Sequence, residues 1–94
     1  MPTLDRWFLL SHIGVPKLKS IPGDDYFLAG RVTSDELERF DDGTDIYTSK
    51  VIKFDLESKT AVTKSGTKYT LQNISHDYEE MLRQAGTDPS IFNK

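Results

Sequence analysis

The stretch from Ile46 to Leu71 constrains the fold more than any other part of the chain. Ile46, Ile52, Phe54 and Leu56 share one parity, broken by Lys50, and Tyr47, Ser49, Lys53 and Asp55 share the other, broken by Val51. Alternation with period two marks a strand with one buried and one solvated face. Thr60 to Lys64 and Thr67 to Leu71 repeat the pattern on either side of Ser65-Gly66, a two-residue hairpin signal. Two consecutive hairpins dictate an antiparallel meander, which leaves little room for a buried catalytic pocket.

Face matching sets the expected registers. A loop at Glu57-Ser58-Lys59 pairs Phe54 with Val62 and Leu56 with Thr60, and a Ser65-Gly66 turn pairs Val62 with Tyr69 and Thr60 with Leu71. A one-residue slip would turn every side chain to the other face. The expected inward face is therefore Ile52, Phe54, Leu56, Val62, Tyr69 and Leu71.

Upstream, Arg6 to Val15 reads as a strand that Gly14 and Pro16 end, and Pro22-Gly23-Asp24 reads as a turn. Tyr26 to Val32 is a second strand in which Gly30 signals a bulge or a close backbone approach. Ser34, followed by acids, suits the start of one helical turn, and Asp41-Asp42-Gly43-Thr44 suits a turn before the third strand. Downstream, Ser75 as N-cap, Asp77 in the first turn and Gly86 past the end delimit one helix. Its apolar stripe is Tyr78, Met81, Leu82 and Ala85, and Asp88-Pro89-Ser90 opens a last short turn that tucks Ile91 and Phe92 back. The expected fold is one α+β domain over residues 1–94. It is an antiparallel β-sheet of about five strands, a meander, with one C-terminal helix packed on one face.

Composition excludes more than it assigns. A chain of 94 residues buries about 64% of its extended surface, one thin core. There is no cysteine, so disulfides, thiolate zinc sites and cysteine nucleophiles are excluded. His12 and His76 have no partner at ligand spacing, and no serine stands in a glycine-flanked nucleophile turn. Counting a calcium loop from Asp41 puts Ile52 where a glutamate ligand is required. The six glycines are scattered, without phosphate-cradling spacing. The chain is therefore expected to be no enzyme and to carry no cofactor or metal. No apolar run approaches the ~18 residues of a membrane span, and Met1 to Arg6 lacks the character of a signal peptide. A cytoplasmic protein without membrane contact is expected.

Charge is unevenly spread over a net −3. From Asp24 to Asp45 eight acids face two arginines, whereas from Ile46 to Gln72 five lysines face two acids. The expected partner-binding residues are the eight acids Asp24, Asp25, Asp35, Glu36, Glu38, Asp41, Asp42 and Asp45, placed to mimic phosphates and fill a basic groove on a protein partner. Nucleic acid is disfavoured as a partner by the acidic balance, although Tyr47 near Lys50 and Lys53 offers a small stacking platform.

Arg39-Phe40-Asp41-Asp42-Gly43, Ile46-Tyr47-Thr48-Ser49, Val51-Ile52, Asp55, Val62-Thr63, Ser65-Gly66 and Tyr69-Thr70-Leu71 form a pattern. It resembles one in short accessory proteins of bacteria, phages and mobile elements, a group that includes anti-CRISPR and other anti-defence proteins. The resemblance implies an inhibitor of a host defence protein. It carries no catalytic residue, and it covers neither the N-terminal strands nor the helix. Two other readings stand beside it: an immunity protein that neutralises a bacterial toxin, and a small ligand-binding or enzyme subunit. A homodimer is also expected. It would form through an uncovered edge strand, Arg6 to Val15 or Thr67 to Gln72, or through whichever of Trp7 and Phe8 faces away from the core. The counter-expectation is a monomer in which the helix or Ile91-Phe92 covers that aromatic.

Overall fold

Five strands follow one another as the meander requires: β1 (Thr3–Ser11), β2 (Tyr26–Ser34), β3 (Asp45–Asp55), β4 (Thr60–Thr63) and β5 (Lys68–Leu71). The helix α1 (His76–Gln84) and a 3-10 turn (Pro89–Phe92) complete the order. The computed structural model describes residues 2–21, 23–34 and 43–94, with Ser34 described in its backbone only. The proposed helical turn after Ser34, together with Asp41 and Asp42 of the following turn, lies outside the described residues. The antiparallel meander and the single C-terminal helix agree with the α+β expectation.

The sheet does not stay open. β1 pairs with β5 in parallel, Thr3 beside Thr70 and Leu4 beside Leu71, and the five strands close into a barrel. An odd number of antiparallel strands brings the first and last into the same direction, so the closing seam is parallel. The expectation that β1 or β5 offers a free edge is corrected: each is the other's neighbour. Past the seam the chain stays against β1, with Gln72 N–H donating to Leu4 O at 2.8 Å and Ser75 N–H to Trp7 O at 2.8 Å.

Both expected hairpin registers are off by one residue. The β3–β4 loop holds four residues, not three, and Phe54 stands opposite Ala61 with Asp55 opposite Thr60. The cause is local: Asp55 Oδ1 accepts from the N–H groups of Glu57 and Ser58 at 3.1 and 3.4 Å, which draws Leu56 into the turn. The Ser58 hydroxyl, followed by those same backbone bonds, holds the Asp55 carboxyl below the usual carboxylate range. The β4–β5 loop holds three residues, with Thr63 N–H donating to Thr67 O at 3.1 Å and Gly66 at φ 88°. That is the three-residue hairpin with a left-handed glycine at its last position.

A bulge then rearranges the inward face. Val51 stands opposite Thr63 and Lys53 opposite Val62, so Ile52 is an extra residue in β3. Val51 and Phe54 both turn inward, with Ala61, Thr63, Tyr69 and Leu71. Ile52 is exposed, and Val62 and Leu56 are only half-buried, which corrects the expected face at three of six positions. Lys53 and Phe54 remain on opposite sides, as alternation demands.

The first strand begins and ends earlier than expected, because residues 12–15 form a turn: Gly14 N–H donates to Ser11 O, and Ser11 N–H to Val15 O. It also carries a bulge. Arg6 and Trp7 lie between the pairs Asp5–Arg31 and Phe8–Ala29, where β2 supplies only Gly30. Arg6 takes φ 51°, the left-handed region. A Cβ on Gly30 would lie 3.2 Å from Asp5 O and Trp7 Cα and 3.3 Å from Leu4 Cβ, so the close approach signalled by this glycine is present. Trp7 is thereby turned into the core, where it meets Phe54 edge-on at 5.8 Å.

The helix is bounded as its sequence requires. Ser75 Oγ accepts from Tyr78 N–H, and beyond Ala85 the N–H groups of Gly86 and Thr87 return to Arg83 O and Leu82 O. Gly86 at φ 70° allows that C-terminal closure. Only Tyr78 and Leu82 of the expected stripe are buried; Met81 and Ala85 are exposed, because the helix meets the barrel along one narrow line. Phe92 follows them into the core. The Tyr26 hydroxyl donates to Phe92 O, and its ring lies 5.4 Å from the Phe92 ring. Phe8, the aromatic on the outer side of β1, has the Tyr78 ring at 6.4 Å. Both grounds for the expected dimer, a free outer edge on β1 or β5 and a bare aromatic at Trp7 or Phe8, are thus absent among the described residues.

Candidate binding surface

Residues 12–25 join β1 to β2, and the backbone of several described residues among them is hydrogen-bonded. Lys17 N–H donates to Leu9 O at 2.8 Å, Leu10 and Pro16 form a bridge, and Asp24 N–H donates to Ile21 O at 3.0 Å. The Tyr78 hydroxyl reaches across from the helix to donate to Lys17 O. Burial raises the Tyr78 pKa above that of a free phenol, so this donor keeps its proton. On this loop Ile13, Val15 and Ile21 are 72, 49 and 51% exposed. A hollow of about 320 Å³ lies beside Ile13 and Val15, lined also by His12, Pro16 and Leu18. Single exposed aliphatics are ordinary, whereas Ile13 and Val15 share one hollow. Sequence reading assigned Ile13 and Val15 to a strand and missed them as a surface. The signal was there in Gly14 between two aliphatics, ahead of Pro16.

The acids do not form one continuous surface among the described residues. Asp24 and Asp25 precede β2, whereas Asp45 stands opposite Arg31 toward the other end of the same strand. Six residue steps separate Asp25 from Arg31, roughly 20 Å of strand at ~3.3 Å each. Each of the three has a cationic neighbour: Asp24 with Lys17 at 3.1 Å, Asp25 with Lys50 at 3.9 Å and Asp45 with Arg31 at 3.3 Å. Asp35, Glu36, Glu38, Asp41 and Asp42 lie outside the described residues.

A second hollow, about 230 Å³, opens over the β1 bulge. Phe8, Ala29 and Tyr47 stand in one row across β1, β2 and β3, and Arg6 and Ser75 close one side. Tyr47 is 73% exposed on the outer face, as the alternation of β3 requires. Neither hollow is the enclosed, mostly apolar cleft that buries a small substrate. Among the described residues no group of three or more His, Asp or Glu side chains is placed to hold a metal, and no helix is long and apolar enough to cross a membrane. His12 and His76 are both exposed.

Compared with protein families, curated proteins and solved structures, the chain gives no match.

Proposed function

We propose that this chain is a small non-enzymatic binding protein that engages a protein partner through the loop of residues 12–25. The observation that carries the reading is the exposed pair Ile13 and Val15 at one hollow, in a turn closed by Ser11 N–H to Val15 O and Gly14 N–H to Ser11 O and followed by Lys17 N–H to Leu9 O. A preordered apolar patch loses little entropy on binding, and fully desolvated anchors supply most of the affinity at protein interfaces. Asp24 and Lys17, an ion pair at 3.1 Å, both line that hollow and give it a hydrogen-bonding rim. The specific reading is an inhibitor encoded by a phage or mobile element, cytoplasmic, acting on a host defence protein. Its support is the sequence pattern from Arg39 to Leu71 and the acid-rich segment between β2 and β3.

The test is affinity capture from a bacterial lysate with the wild-type chain and with Ile13→Asp/Val15→Asp, followed by a defence assay in cells expressing each. The reading requires a partner retained by the wild type, lost by the double variant, and linked to a defence activity that only the wild type suppresses. A partner bound equally by both chains, or turnover of a small molecule by the purified protein, would refute it.

A further inference from the structure

Three hollows adjoin along the outer side of β1. The one over the β1 bulge and a middle one of about 220 Å³ share Phe8 and Ser75, and the middle one shares Pro16 with the hollow of the β1–β2 loop. Tyr78 and Met81 of α1 line the middle of this row. Seven large hydrophobic side chains are exposed among the described residues, and four of them, Tyr47, Met81, Val15 and Ile13, line the row. Exposure concentrated in this way marks an interaction surface, and methionine adapts to varied side chains.

The charges along the row differ in their partners. Asp45 and Asp24, one at each end, are engaged by Arg31 and Lys17. Arg6 at one end and Lys19 at the other are exposed cations whose side chains have no hydrogen bond or ion pair among the described residues. Arg6 is also held at φ 51°, in the left-handed region that few non-glycine residues adopt, and such strain gathers at binding sites. Asp77 lines the middle and has no cationic partner among the described residues, so the row selects against a ligand with an acid at its centre. A line of hollows with a free cation at each end fits a linear segment of a protein, whose side chains enter in turn. From Arg6 to Ser11 is five residue steps, roughly 16 Å, which about six extended residues cover.

We propose that the partner engages this chain through such a segment, laid along β1 with apolar residues against Tyr47, Met81 and Val15 and a carboxylate at each end, one on Arg6 and one on Lys19. The proposal rests on the reading of residues 12–25 as the partner surface and extends that surface to the β1 bulge.

Selection of a displayed library of random peptides on the immobilised wild-type chain tests this, with fluorescence anisotropy of the recovered peptides. They should carry apolar residues flanked by acids. Arg6→Glu and Lys19→Glu should each weaken binding about tenfold, and Tyr47→Asp and Ile13→Asp/Val15→Asp should each abolish it. All these positions are exposed, so the melting curves should not change. Peptides lost by Ile13→Asp/Val15→Asp yet indifferent to Arg6→Glu and Tyr47→Asp would overturn the linear segment and leave the loop surface standing. Peptides indifferent to the loop change as well would overturn both readings, and recovery of no peptide overturns the linear segment.

Discussion

Gly30→Ala is the sharpest test of the β1 bulge. The added methyl would sit 3.2 Å from two backbone atoms, Asp5 O and Trp7 Cα, and 3.3 Å from Leu4 Cβ. Relief requires β1 to move by a few tenths of an ångström, and β1 is held there. Trp7 N–H donates to Asn73 O at 3.2 Å, Ser75 N–H to Trp7 O at 2.8 Å, and Gln72 N–H to Leu4 O at 2.8 Å. Overpacking a site that cannot relax costs about 1–3 kcal/mol. Against that, alanine restricts the unfolded chain and returns about 0.4–1 kcal/mol. The steric cost wins, by about 1–2 kcal/mol. For a domain of this size each kcal/mol lowers Tm by roughly 4–8 °C. The assay is urea and thermal unfolding of both chains, with Arg6→Gly as a second background. Glycine accepts the left-handed φ at position 6 but adds freedom to the unfolded chain, so Arg6→Gly alone should change stability by less than about 1 kcal/mol, and it should soften the Gly30→Ala penalty by giving the bulge freedom to shift. A neutral Gly30→Ala, or strict additivity of the two changes, would refute the argument that the bulge and the missing side chain are one device.

Burial pushes the Tyr26 phenol up to about 12, and Tyr78 is raised as well, chiefly by burial. Both lie above the ~10 of an unfolded tyrosine. Their contribution to stability is complete below pH 10 and declines as pH climbs toward the folded values, so alkaline unfolding should begin above pH 10. Tyr26→Phe, which orphans Phe92 O, should cost about 1–2 kcal/mol at neutral pH and flatten that alkaline decline; an alkaline limb unchanged in the variant would show that Tyr26 is not its source. With the proposed partner, Asp41→Lys/Asp42→Lys should slow association several-fold at low salt and leave the melting curve unchanged. Equal association rates for variant and wild type would remove the acid-rich segment from the interface.

What the sequence determined by itself is what depends on neighbours a few residues apart. The alternation from Ile46 to Asp55, the Ser75 cap and the Gly86 closure each follow from local periodicity or a local hydrogen bond, and the strands and helix stand where those signals put them. The exposed Tyr47 and the close approach at Gly30 were legible for the same reason. Registers were legible only to within a residue. Face matching assumes unbroken alternation, and the bulge at Ile52 together with the Asp55 carboxylate in the turn each consumed one residue. Closure belongs to the tertiary structure alone. Whether a twisted five-strand sheet splays open or returns to its first strand depends on accumulated twist and on bulges such as Arg6–Trp7, neither of which a single strand encodes. The proposed binding surface follows the same division. The exposure of Ile13 and Val15 is defined by what packs beside them, and the scattering of Asp24, Asp25 and Asp45 is set by the length of β2 rather than by their closeness in sequence.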